Sequence, residues 1–122
     1  MDSVFVVKQR AFLKLYLIQL IRQGKGYGLQ LQGELERKFR PYGFIPTKTE
    51  IYRSLQDLMD DGILSRVKEK KDGARYAEIA VYSILDFDKA DSYTRTVRKD
   101  IERSMGLLGL SLKDTEKNKP YG

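Results

Sequence analysis

The sequence predicts an α+β fold in which three helices precede a two-stranded hairpin and a long last helix. Apolar residues recur at helical spacing in three successive segments between residues 8 and 62. The period changes to that of strands across residues 63–84, and helical spacing returns from residue 86. Three helices followed by a hairpin is the order of elements in a winged helix-turn-helix, a fold in which one helix enters the major groove of DNA.

The composition fits a single basic domain without catalytic machinery. The 122 residues include 23 Lys and Arg against 17 Asp and Glu, so the formal net charge is +6, which favours a polyanionic partner. The sequence contains no cysteine and no histidine, which excludes disulfides, thiolate or imidazole metal sites and the Ser–His or Cys–His couples of many hydrolases. We therefore expect no enzyme, no cofactor and no bound metal.

The first helix is predicted from residue 8 onward as the centre of the core. Residues 11–21 are apolar except for Lys14 and Gln19, which suits a helix that is covered on most sides. Glycines at positions 24 and 26 end the pattern. The run is shorter than the roughly 20 apolar residues that cross a bilayer, and no signal-peptide pattern is present, so we expect a cytoplasmic protein.

The second and third helices have clear ends. The second is predicted over residues 28–40, where apolar residues recur at every fourth position. The third begins with Thr47 as N-cap, and Glu50 three residues later completes a capping box. Gly62 supplies its C-terminal stop.

Residues 63–70 and 76–84 are predicted as the two strands, and the Asp-Gly pair in the turn between them is typical of a hairpin. Residues 1–85 then form the DNA-binding domain with a loose N-terminal arm, residues 86–112 the last helix, and residues 113–122 a disordered tail.

The last helix carries a narrow apolar stripe that resembles the seam of a coiled coil. At 1.5 Å per residue its length would be roughly 40 Å, too long to be covered by so small a domain. We therefore predict a homodimer in which the stripe meets a second copy. The residues predicted at this dimerisation seam are Phe87, Ala90, Thr94, Val97, Ile101 and Leu108.

The outward face of the third helix combines groups that can contact bases and phosphates. An arginine can fork onto guanine and a glutamine onto adenine, while threonine and tyrosine can reach phosphates or a thymine methyl group. Acids are absent from this face until Asp57, although a solvated helix face remains the alternative explanation. The residues of this face are Lys48, Thr49, Tyr52, Arg53 and Gln56.

Two further basic groups are candidates for phosphate contact. The hairpin group suits a wing beside the groove, or else protects an edge strand from aggregation. The group at the start of the first helix opposes the helix dipole, so an external anion could compensate it; an ordinary charged helix start is the alternative. The hairpin group comprises Arg66, Lys68, Lys70, Lys71 and Arg75, and the helix group comprises Lys8, Arg10 and Lys14.

Four short segments resemble the replication terminator protein family of Gram-positive bacteria. They are residues 8–16 (KQRAFLKLY), 27–29 (YGL), 49–55 (TEIYRSL) and 60–64 (DDGIL). The resemblance implies a winged-helix dimer, joined by antiparallel last helices, that binds terminator DNA as two adjacent dimers and arrests a replication fork from one direction. It also implies DNA contacts from the arm, the third helix and the wing: Lys8, Arg10, Thr49, Tyr52, Arg53, Lys68, Lys71 and Arg75.

The resemblance further implies a contact between the replicative helicase and the surface around Tyr27. From its position between glycines, Tyr27 is either a hydrophobic staple of the second helix or an exposed contact residue. Two other functions remain open at this point. Phenolic-acid-responsive repressors share a similar helix order, which would make the protein a transcriptional repressor, and a coiled-coil adaptor would use its charge only for solubility.

Overall fold

The computed structural model describes residues 5–70 and 78–117, and its elements confirm the predicted winged helix-turn-helix with a long last helix. The third helix begins one residue after its predicted cap, and the last helix continues two residues past its predicted end. The elements are α1 Gln9–Arg22, α2 Gly28–Phe39, a short 3-10 turn Arg40–Tyr42, α3 Lys48–Asp60, β1 Leu64–Lys70, β2 Glu78–Ile84 and α4 Phe87–Asp114.

Helix α1 forms the centre of the hydrophobic core, as the apolar run predicts. Leu13 and Leu17 are fully buried, and α1 contacts α2, α3, β2 and α4. Burying one leucine side chain contributes about 1.5–3 kcal/mol, so this helix anchors the packing of the other elements.

The end of α3 is fixed by a Schellman motif. Gly62 has a positive φ of 76°, which a residue without Cβ adopts at no steric cost. The backbone N–H of Ile63 donates to Leu58 O at 2.9 Å, and that of Gly62 donates to Met59 O at 3.0 Å. Ile63 is buried at once, so the chain turns directly from α3 into the hairpin.

The hairpin is joined to the start of α2 by a close backbone contact. Strands β1 and β2 are antiparallel, with Leu64 opposite Ile84. The backbone N–H of Tyr82 donates to Gly26 O at 2.8 Å, and Tyr27 forms a bridge with Val81. The segment before α2 thereby pairs with β2 through a single bridge beside the two-stranded sheet. The predicted turn between the strands lies in residues 71–77, outside the described residues.

The first half of α4 packs on its own chain, which corrects part of the predicted dimer seam. Ala90 is fully buried and Val97 is 3% exposed, so neither presents a free surface to a second copy. The prediction was wrong at these two positions because α1 is long enough to cover the first turns of α4. None of the described helices is both long and apolar enough to cross a membrane.

The arm before α1 is ordered by α4 from Phe5 onward. The backbone N–H of Val7 donates to Ser104 Oγ at 2.8 Å, and Arg103 Nη1 donates to Phe5 O at 2.8 Å. Ser104 is buried under this contact. Among residues 5–70 and 78–117, coverage of α4 by its own chain therefore extends from Ala90 to Ser104 and stops there.

Replacing Gly26 with alanine should destabilise the fold, whereas Gly33→Ala should stabilise it. A Cβ at Gly26 would lie 2.2 Å from Tyr82 O, so the strand contact would have to open, at a cost of about 1–3 kcal/mol. Gly33 lies inside α2 with nothing within 4 Å of an added Cβ, and alanine there should add about 0.5–1 kcal/mol through helix propensity. Urea unfolding of both variants measures the difference, and equal effects would contradict the close contact.

Candidate nucleic-acid interface

One face of α3 is exposed along its length while the opposite face is held in the core. Ile51, Leu55 and Leu58 are buried, and Ser54 Oγ donates to Glu50 O at 2.7 Å. The predicted outward residues lie together and line one shallow depression of about 420 Å³. Of these, Lys48, Thr49, Arg53 and Gln56 are exposed, and Tyr52 is half-buried.

The start of α3 is capped as predicted, although only half of the capping box forms. Thr47 Oγ1 accepts a hydrogen bond from the backbone N–H of Glu50 at 3.1 Å. The Glu50 carboxylate does not close the box but accepts instead from Arg10. The cap fixes where the helix begins, and the carboxylate is left to join α3 to α1.

The outward side chains differ in their freedom. Gln56 Nε2 donates to Asp60 Oδ1 at 2.9 Å, so a base would have to displace this bond. The Tyr52 ring packs against the core, with Lys48 Nζ 5.8 Å from its centroid. Arg53 is exposed and has no hydrogen bond or ion pair with any other described residue. Of the arginine and the glutamine on this face, the arginine is therefore the one without a partner among the described residues.

The basic residues of the hairpin are only partly described. Arg66 and Lys68 are exposed and lie opposite Tyr82 and Ala80, so they share the hairpin face that continues from the core. Lys70 ends β1. The predicted contacts Lys71 and Arg75 lie outside the described residues.

The basic group at the start of α1 is largely paired within the chain. Arg10 Nη2 lies 3.2 Å from Glu50 Oε1, and Lys14 Nζ lies 3.2 Å from Asp57 Oδ2. The hydrogen bond from Arg10 to Glu50, reinforced by that carboxylate's charge, raises the pKa of Arg10 above its ordinary value. Carboxylates of α3 thus supply the compensation for which an external anion was one of two explanations that the sequence left open. Lys8, the residue that precedes α1, is exposed.

Tyr27 does not act as a hydrophobic staple. It is itself the N-cap residue of α2, and its side chain is 43% exposed. The bridge to Val81 holds it at the edge of the sheet, where the side chain is available to a partner.

Exposed apolar side chains occupy the end of α4. The described part of the chain leaves this end uncovered, because the contact of the arm stops at Ser104. The predicted seam of α4 included Leu108 but not the other exposed apolar residues beyond Ser104, because they depart from its regular spacing. The density of apolar residues in this part of the sequence was the signal that could have identified them. The exposed residues are Met105, Leu108 and Leu112 on one side of the helix and Leu107 and Leu110 nearer the opposite side.

An apolar groove lies between α1 and the middle of α4. It has a volume of about 320 Å³. Ile101 and Thr94 of the predicted seam line it, so these positions are accessible where Ala90 and Val97 are not. The full lining is Phe12, Leu15, Tyr16, Gln19, Thr94, Arg98 and Ile101.

Residues 4–116 match the family model described as replication terminator protein. The replication termination proteins of Bacillus subtilis (strain 168), Bacillus spizizenii and Bacillus vallismortis are each 44% identical over 110 residues, a match that covers 90% of this chain and 90% of each relative.

Solved structures of Pex proteins share the fold. Pex from Synechococcus sp. (strain PCC 7942) superposes with a TM-score of 0.61 at 20% identity, covering 80% of this chain and 87% of that one. The circadian clock associated protein Pex from Anabaena gives a TM-score of 0.60 at 18% identity, covering 83% and 87%. At this level of identity the likeness concerns the fold alone.

Proposed function

Because the chain belongs to the replication terminator protein family, we propose that it binds double-stranded DNA at replication terminator sites as a dimer and arrests a replication fork that arrives from one direction. The observation that carries the DNA-binding part is the outward face of α3. Its exposed lysine, threonine, arginine and glutamine line one depression, on a helix whose opposite face is locked into the core. Such a face can enter the major groove without losing its orientation.

Base reading is assigned to Arg53. A guanidinium binds guanine O6 and N7 through two hydrogen bonds, and this geometry needs an arginine that no other group holds. Ile51 and Leu55 are buried beside it, so α3 cannot rotate Arg53 away from the groove. Thr49 and Lys48, nearer the start of the helix, are placed for phosphates or a thymine methyl group.

The hairpin supplies affinity with little sequence preference. Arg66 and Lys68 are exposed on the hairpin face that continues from the core, and the sequence adds Lys70 at the end of β1 and Lys71 and Arg75 between the two strands. Lysines meet phosphates as point charges and arginines can fork onto them; neither contact reads a base, so binding depends steeply on salt.

Dimerisation is assigned to the end of α4 together with the groove between α1 and α4. In an antiparallel pair centred at Ile101, Leu108 of one copy lies beside Thr94 of the other, because each is seven residues from the centre. Thr94 lines the groove, so the uncovered leucines of one copy reach an apolar surface of the other. The two α3 helices would then be related by the dimer axis, with half-sites about 10 base pairs apart.

Arrest of a fork from one direction only is proposed because the chain belongs to the family. Two dimers of this chain would then lie side by side on one DNA site. Tyr27 is the candidate for a contact with the replicative helicase, because it is exposed at the edge of the sheet. Unwinding by a replicative helicase across the bound site, in both orientations, tests this part of the proposal. Equal arrest in both directions would contradict it.

Arg53→Ala should weaken specific binding roughly tenfold to a hundredfold and non-specific binding much less, because a bidentate contact to guanine is lost. The specific duplex is the sequence that the wild-type protein enriches from a random pool, and the non-specific duplex is its scrambled version. Arg95→Ala is the matched control, since it removes an equally exposed arginine from α4. Equal losses on the two duplexes at matched salt would make Arg53 a phosphate contact.

Leu108→Asp should convert the dimer into monomers, because it places a charge in an apolar interface. Leu108 is 49% exposed in the single chain, so the substitution leaves the core of each copy intact. Leu29→Asp, at an exposed leucine of α2, is the control for the same change elsewhere. Sedimentation at micromolar concentration gives the result, and a monomeric wild-type protein would overturn the assignment.

A further inference from the structure

We propose that Arg10 and Lys14 are positioning residues that hold the recognition helix α3 against α1, rather than phosphate contacts. The inference rests on the proposed function, since it concerns how that function obtains its sequence specificity. It reassigns two of the residues that the sequence suggested as DNA contacts.

The two cations and two carboxylates form a clamp between neighbouring helices. Arg10 lies between the two carboxylates, with Nη2 3.2 Å from Glu50 Oε1 and Nη1 3.6 Å from Asp57 Oδ2. Lys14, one turn further along α1, lies 3.2 Å from the same Asp57 oxygen. Glu50 and Asp57 are two turns apart on α3, so the clamp contacts the helix at two positions along its axis.

The charges of the clamp cancel, which leaves little positive charge for a phosphate. Its two cations face two anions, whereas Arg53 on the same helix has no ion pair with any described carboxylate. The clamp is also partly shielded from solvent. The Lys14 side chain is 15% exposed and that of Glu50 26%, whereas Arg10 at 39% and Asp57 at 36% are more open to solvent, and the Nε of Arg10 is buried without a hydrogen bond. Such pairs are screened by salt less than fully exposed ones.

Burial of the apolar face sets which side of α3 points outward, and the clamp adds a directional restraint on the position of the helix along its axis. Burial of Ile51 and Leu55 favours contact between α3 and α1, but the hydrophobic effect is not directional. Ion pairs at two positions along α3 resist sliding and rotation of this helix relative to α1. Arg53 lies between Glu50 and Asp57 along α3, so the restraint acts on the segment that would read the base.

Neutralising Glu50 or Asp57 distinguishes phosphate contact from positioning, because the two roles predict opposite changes in DNA affinity. If Arg10 and Lys14 contacted phosphates, Glu50→Gln or Asp57→Asn would release them and tighten binding to every duplex. In the clamp, both variants should bind the specific duplex about three- to tenfold more weakly, without loss on the scrambled duplex. The control is Asp88→Asn, which removes one exposed negative charge from the first turn of α4 and should leave the specific-to-scrambled ratio unchanged.

Substitutions of the cations give an independent readout through salt dependence. Loss of a phosphate contact lowers the magnitude of the slope of log affinity against log salt concentration by about 0.9. Because Arg10 makes no phosphate contact in the clamp, Arg10→Ala should leave this slope unchanged while it lowers specific affinity. Arg10→Lys keeps the charge but cannot fork onto two carboxylates, and it should also lose specificity. A smaller slope for Arg10→Ala, with specificity retained in Arg10→Lys, would overturn the clamp.

Rescue by charge exchange distinguishes positioning from a general loss of fold. The double variant Lys14→Glu with Asp57→Lys restores the pair between these two positions but leaves Arg10 beside a cation. It should therefore regain part of the specific-to-scrambled ratio that each single variant loses, and circular dichroism checks that all three are folded. Failure of the folded double variant to regain specificity would contradict the clamp. If the wild-type protein enriches no sequence and its binding to duplexes does not depend on salt, the proposed function itself fails. If the wild type binds and the carboxylate variants bind every duplex more tightly, the clamp alone fails.

Discussion

Burial of α1 is the constraint on which the other elements depend. Leu13 and Leu17 are fully enclosed, and α2, α3, β2 and α4 each contact this helix. The face assigned to DNA, the hairpin and the surface assigned to a second copy therefore take their positions from one element. A change that loosens α1 would move these surfaces together, whereas a change on any single surface leaves the others in place.

Helix α4 serves two purposes because it is longer than the domain that it packs on. At 28 residues it spans about 42 Å, and only its first part is covered by α1 and the arm. Ala90 and Val97 stabilise the single chain, while the leucines beyond Ser104 have no cover among the described residues. If the proposed dimer forms, division of one apolar stripe between two partners would let a small basic chain build a core of its own and still retain a surface for association.

Features set by local sequence were predicted well, and features set by contacts between distant residues were not. The helices, the Thr47 cap, the Gly62 stop and the outward set on α3 follow from spacing and from residues a few positions apart. The burial of Ala90 was missed because periodicity identifies apolar positions without saying what covers them. The pairing of Arg10 with Glu50 was missed for a related reason, since those residues lie 40 positions apart.

The unpaired positive charge of the described residues is therefore not spread evenly over the surfaces that we assign to DNA. Clusters of lysine and arginine indicate a polyanionic partner only where carboxylates do not neutralise them, and at the start of α1 they are neutralised by α3. Among the described residues of α3, Arg53 has no ion pair. In the proposed function this distribution would separate two tasks, because charge on the hairpin would raise affinity for any duplex while a rigid helix with few free cations would distinguish one sequence from another. A structure in which every cation faced the phosphates would bind more tightly, but it would gain nothing in the ratio between specific and non-specific sites on which recognition depends.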